Sequence, residues 1–147
     1  MEETPSTFKL LYETAATATG GRVGRSVTAD GKLALDMSRP KVLGGDDGPG
    51  TNPEQLFALG FASCFHNSVQ YVARQRQLDI TGSQITARVG LGRVAPGAVG
   101  LAVTLRGRFP TLSEEIAQAL MEAAHQACPY SQATRGNIPV TLEVEPS

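Results

Sequence analysis

Cys64, in "LFALGFASCFHNSVQY", and Cys128, in "AAHQACPYSQATRGN", are the only two thiols of the chain. A pair of thiols supports three kinds of chemistry: electron exchange through a reversible disulfide, coordination of a soft metal, or nucleophilic attack. It can also do nothing. Free cysteine is among the most buried residue types, and apolar surroundings raise the thiol pKa until the group is inert. A reactive thiol therefore needs a cation beside it. Two arginines stand in contexts suited to that task, Arg22 in the turn "GGRVG" and Arg135 just beyond Cys128, although the ordinary place for either is a solvated surface.

Other chemistries compete for the same residues. The soft and imidazole ligands are Cys64, His66, His125 and Cys128. On a helix Cys64 and His66 point to nearly opposite sides, which leaves at most three of the four for one metal ion. A cysteine hydrolase would set His125 against Cys64 and give Cys128 no purpose. A non-enzymatic binding module would leave both cysteines in the core.

Bulk properties narrow the field. Thirteen basic residues against fourteen acidic ones give a net charge of −1, and no Lys/Arg run could neutralise several phosphates, so nucleic acid is not an expected partner. No apolar run approaches the roughly 20 residues that span a bilayer, and the acidic start "MEETPSTFKL" has neither a basic nor an apolar leader segment. A soluble cytoplasmic protein without membrane attachment is expected, and in that reducing compartment a permanent disulfide is not. A length of 147 residues suits one domain over 1–147.

The elements that must position the cysteines can be read from caps and periodicity. "TNPEQ" starts a helix, with Asn52 as cap, Pro53 at the first helical position and Gln55 where a capping-box side chain reaches back. Phe57, Phe61, Cys64, Phe65, Ser68 and Val72 recur at spacings of three or four along a helix expected to run to about Gln77, with Cys64 on its apolar face. Ser113 caps a second helix with an apolar stripe of Ile116, Ala117, Leu120, Ala123, Ala124 and Ala127; Pro129 stops it just after Cys128. Each cysteine thus lies on the apolar face of its own helix, and packing those faces together would bring the sulfurs into reach.

Before the first helix, segments over 8–19, "VGRSVTA" and "LALDM" read as three strands, with Leu33, Leu35 and Met37 on one face. Between the helices, "SQITARVGLGRV" and "LAVTLRGRF" form an antiparallel pair turned by "APGAVG". "IPVTLEVE" closes the chain with Val140, Leu142 and Val144 on one face. The order βββ-α-ββ-α-β defines an α+β fold.

Four blocks together resemble the organic hydroperoxide resistance (Ohr) branch of the OsmC-like proteins: "GGRVG", "ADGKLAL", "LGGDDGPGTNPEQLFALGFASCF" and "AHQACPYSQATRGNIPVTLEV". The likeness runs from about Gly20 to Val144, and the last block favours Ohr over its OsmC sister branch. It implies a thiol peroxidase in which Cys64 matches the peroxidatic cysteine and Cys128 the resolving one. Arg22 matches the thiolate-activating arginine, and Glu54 the carboxylate that holds it. It further implies organic (alkyl or fatty-acid) hydroperoxides as substrates, no bound cofactor, and dihydrolipoamide or lipoylated proteins as reductant. The fold it implies is an intertwined homodimer with two long central helices against antiparallel sheets. Leu56, Phe57, Phe61 and Phe65 would give such a site an apolar wall, worth roughly 0.8 kcal/mol per buried methylene of substrate, and the same side chains also suit the core.

One consequence is arithmetic. Glu54 and Cys64 are ten residues apart, which on an unbroken helix is roughly 15 Å of rise and about 80° of rotation. Glu54 must then act through Arg22 or come from a second copy of the chain, unless the helix breaks near Gly60.

Overall fold

A computed structural model describes residues 7–146. The chain divides into a smaller unit up to Asn52 and a larger one from Pro53 onward. In the smaller unit, β1 (Ala16–Thr19), β2 (Arg25–Thr28) and β3 (Ala34–Asp36) form an antiparallel sheet in that order. The expected first strand is shorter than its composition suggests. Ala16 pairs with Thr28, the last residue of β2, and Ala29 donates its N–H to the Ala15 carbonyl. Beyond that point the chain turns and leaves residues 8–14 without a strand to pair with, so Phe8, Leu10, Leu11 and Tyr12 are exposed. The alternating face of the third segment is only partly inward: Met37 is buried and Leu33 exposed.

The larger unit holds the remaining elements: helix α1 (Pro53–Gln75), strands β4 (Gln84–Ala95) and β5 (Ala98–Arg108), helices α2 (Glu114–Ala127) and α3 (Pro129–Thr134), and strand β6 (Val140–Val144). The β4–β5 hairpin turns at Pro96 and Gly97, and Gly97 has φ 75°, the left-handed conformation that glycine adopts without steric cost. β6 runs parallel to β5, from Val103 beside Val140 to Gly107 beside Val144. Parallel neighbours need a crossover of a dozen or more residues, which α2 and α3 supply.

Both long helices lay their apolar faces on this sheet. Phe61, Phe65 and Val69 of α1, Leu120 and Ala124 of α2, and Leu105 of β5 are fully buried together. Ser113 caps α2 by accepting the Ile116 N–H at 3.3 Å, a contact worth about 1 kcal/mol. The buried stripe of α2 is Ala117, Leu120, Met121 and Ala124; Ile116, about 100° around the helix from Ala117, falls outside it and is exposed. Ala127 is exposed as well. Pro129 does more than end α2. Its fixed φ starts α3, so that Cys128 is at once the C-cap of α2 and the N-cap of α3. Among the described residues no helix is long and apolar enough to cross a membrane.

Candidate active site

Cys64 lies on α1 between Phe61 and Phe65, both with no exposed surface. Burying each of those rings is worth roughly 1.5–3 kcal/mol, far more than an exposed ion pair such as Arg25–Asp36, so they fix the rotation of α1 about its axis. That rotation leaves Cys64 at the margin of the buried face, half-buried, with Ser68 donating to its carbonyl oxygen at 3.3 Å. Cys128, in the α2–α3 corner, is completely buried. The corner is held by the Cys128 N–H on the Ala124 carbonyl and by the Gln132 N–H on the Cys128 carbonyl. The Cys128 thiol points at Cys64, with the two sulfurs 3.6 Å apart and unbridged.

Three influences act on the Cys64 thiol. Burial raises its pKa most strongly, the peptide N–H of Tyr130 on the sulfur lowers it, and the neighbouring Cys128 raises it again. The balance is upward, which favours the protonated form at neutral pH.

The other residues singled out above fall in distinct places. Arg22 is in a 3-10 turn, Gly21–Val23, and is half-buried. Gly20 has φ 81°, and a Cβ on Gly24 would run into the Thr19 carbonyl, so this turn demands glycine on both sides of the arginine. Glu54 occupies the first turn of α1, and the helix continues unbroken through Gly60 to Gln75. A break near Gly60 is thereby removed from the three ways of relating Glu54 to Cys64. Of the proposed apolar wall, Phe61 and Phe65 belong to the core, whereas Leu56 and Phe57 are partly exposed.

Arg135 serves neither sulfur. Its guanidinium donates to the His125 carbonyl at 2.7 Å, at the end of α2. His125 Nδ1 lies 2.7 Å from the hydroxyl of the buried Ser131, and burial, then the Arg135 charge, lower its pKa, so the ring is neutral at neutral pH. His66 Nε2 is 3.0 Å from Ser83 Oγ. The histidines thus have hydroxyl partners, and among the described residues no three His, Cys, Asp or Glu side chains are grouped to hold a metal.

Tyr130 went unnoticed in the sequence. Its backbone lowers the pKa of Cys64, and its ring packs against Phe61 and Phe57, with centroids 5.6 and 6.2 Å away. A proline directly after Cys128 is a helix-start signal as well as a stop, and would have put Tyr130 in the first turn of a helix over that cysteine.

Comparison with known proteins decides the family. The OsmC-like protein family matches residues 44–143. The organic hydroperoxide resistance protein of Xanthomonas axonopodis pv. citri is 50% identical over 135 residues, 91% of this chain and 94% of that protein. The chain belongs to the Ohr/OsmC-like family. Solved Ohr/OsmC-like structures share its fold. An organic hydroperoxide resistance protein from Elizabethkingia anophelis superposes with a TM-score of 0.89 at 43% identity, covering 95% of this chain and all of that one. The organic hydroperoxide resistance protein OhrB of Bacillus subtilis gives 0.84 at 41% identity, covering 92% and 100%.

Proposed function

We propose that this Ohr/OsmC-like chain is a two-cysteine thiol peroxidase that reduces organic hydroperoxides to alcohols as a defence against oxidative stress. The observation that carries the reading is the 3.6 Å contact between one half-buried and one fully buried thiol. A peroxide can approach Cys64 but not Cys128, which supports unequal roles. The Cys64 thiolate attacks the outer oxygen of the hydroperoxide, the O–O bond breaks, and the alkoxide takes a proton and leaves as the alcohol. Cys64 is now a sulfenic acid. The Cys128 sulfur attacks the Cys64 sulfur, the S–O bond breaks, water leaves, and a disulfide remains. Each turnover moves two electrons from the thiols to the peroxide.

Burial and the Cys128 thiol outweigh the Tyr130 backbone at Cys64, so the proposed reaction calls for a cation that favours the thiolate. Arg22 is our candidate, because a guanidinium cannot lose its proton at working pH. Glu54 would orient that fork as a bidentate partner. At roughly 15 Å of helix rise from Cys64, it acts through Arg22 or comes from a second copy of the chain. Leu56, Phe57 and the half-exposed ring of Tyr130 would receive an alkyl or fatty-acid chain, with Phe61 and Phe65 packed behind them. Dihydrolipoamide or a lipoylated protein is the proposed reductant: its two thiols exchange with the disulfide and leave as a cyclic disulfide. A cytoplasmic site of action accompanies this scheme.

Thiol counting tests it. One equivalent of cumene hydroperoxide added to the reduced protein removes two thiols per chain and releases one equivalent of cumyl alcohol. An unchanged thiol count refutes the reading.

We further propose that the working unit is an intertwined homodimer. Leu59 and Tyr71 project from α1, and Ala58, Leu59, Ala62, Ile85 and Ala87 line an apolar groove beside it. The arm with Phe8, Leu10, Leu11 and Tyr12 likewise offers apolar side chains to solvent. A second copy is the occupant that would cover such surfaces on every molecule at once. Sedimentation equilibrium at micromolar concentration yields twice the chain mass; a monomer overturns the dimer.

A further inference from the structure

Gly60 sits on α1 one turn before Cys64, under the side chain of Tyr130 from α3. A Cβ built on Gly60 would lie 2.7 Å from the Tyr130 hydroxyl oxygen and 3.1 and 3.2 Å from two ring carbons. No side chain can occupy position 60 without moving that ring. Tyr130 therefore meets α1 through its ring, over Gly60 and against Phe57 and Phe61, while its backbone lowers the pKa of Cys64. Cys128 is two residues away at the start of the same short helix.

The remaining bonds of the corner tie α3 to α2 rather than to α1: the His125–Ser131 contact, the Arg135 guanidinium on the His125 carbonyl, and the Cys128 N–H on Ala124. The seat of Tyr130 on Gly60 thus adds to the packing of α1 on α2 in registering the Cys128 corner against the Cys64 helix. We infer that Tyr130 and Gly60 are positioning residues that set the separation of the two sulfurs, and with it the rate at which the disulfide closes. This rests on the redox role proposed for the pair, and concerns its second step.

The physical reason is the short range of the reaction. A disulfide has an S–S length of about 2.05 Å, so sulfurs 3.6 Å apart must close by roughly 1.5 Å. A methyl group at position 60 displaces the Tyr130 ring, and in this inference the first turn of α3 passes part of that shift to Cys128. Misplacement of reacting groups by about 1 Å can cost on the order of 100-fold in rate.

Rapid-quench intact-mass spectrometry on the full-length protein, with a sulfenic acid trap, follows both steps after peroxide addition. In Gly60→Ala we expect sulfenic acid at Cys64 to persist and disulfide closure to slow about tenfold or more. Removing the closest clashing atom should undo this, so Gly60→Ala with Tyr130→Phe closes faster than Gly60→Ala alone. Formation of the sulfenic acid at the wild-type rate while closure slows separates a misplaced Cys128 from a general loss of structure. Should Gly60→Ala fold poorly by circular dichroism, Tyr130→Leu, which removes the ring without adding bulk, carries the same expectation. Closure at the wild-type rate in either folded variant overturns the inference. The same comparison with diamide as oxidant needs no peroxide chemistry. Unreactivity of the wild type toward peroxide thus counts against the peroxidase reading, and equal diamide rates count against the positioning role.

Discussion

Replacing Cys64 with serine abolishes peroxide consumption, while replacing Cys128 with serine permits a single turnover and then stalls. The two outcomes follow from the exposure of the sulfurs. Cys64 is half-buried at the margin of α1, and Cys128 is sealed in the α2–α3 corner. Without Cys64 no sulfur is placed to meet the substrate. Without Cys128 the Cys64 sulfenic acid has no thiol in contact, and excess peroxide drives it on to sulfinic acid. Intact mass after peroxide treatment distinguishes the variants: two added oxygens in Cys128→Ser, and no change in Cys64→Ser. Equal loss of the first turnover in both would sink the assignment of roles.

In the proposed mechanism the Arg22 charge opposes the influences that raise the Cys64 pKa, burial foremost. In Arg22→Ala the alkylation rate of Cys64 at neutral pH should fall about tenfold or more and recover only as the solution becomes alkaline. Arg22→Lys keeps the charge but loses the planar fork, so it falls between. The sign can be checked against stability. A thiol whose folded pKa is raised stabilises the fold below its unfolded value and loses that contribution as pH rises through the folded one. Arg22→Ala is thus expected to lose stability on the alkaline side, where its Cys64 titrates. Alkylation rate against pH, with Cys128→Ser as background so that only Cys64 reports, measures the effect; superimposable profiles for wild type and variant would remove Arg22 from the mechanism.

Much of the scaffold was legible because its signals are local. Pro53 opens α1 and Ser113 caps α2, as their residue types require, and the spacing of Phe61, Phe65, Ser68 and Val72 identified the buried face of α1. Where local signals were read too simply, the structure differs. The apolar composition of residues 8–15 has strand propensity, yet β1 begins only at Ala16, because a strand exists only where another can pair with it. Ile116 has the composition of a core residue but stands one residue out of phase with Ala117 and Leu120, and the three-residue spacing of that pair sets the face. Pro129 was read as an ending, although its missing N–H and fixed φ suit a beginning equally well.

By itself the sequence placed Cys64 on an amphipathic helix and Cys128 where a proline ends another, and set Arg22 in a glycine-rich turn. Such placements follow from periodicity and backbone sterics, which operate over a few residues. The tertiary structure alone decided that the sulfurs meet at 3.6 Å, that β6 lies parallel to β5, and that Tyr130 rather than Arg135 reaches Cys64. These depend on how deeply α1 and α2 sink onto the shared sheet and on the Tyr130 ring packing over Gly60, contacts between segments some 60 residues apart. No local pattern encodes such distances; they are set by packing, where volumes must fit together at once.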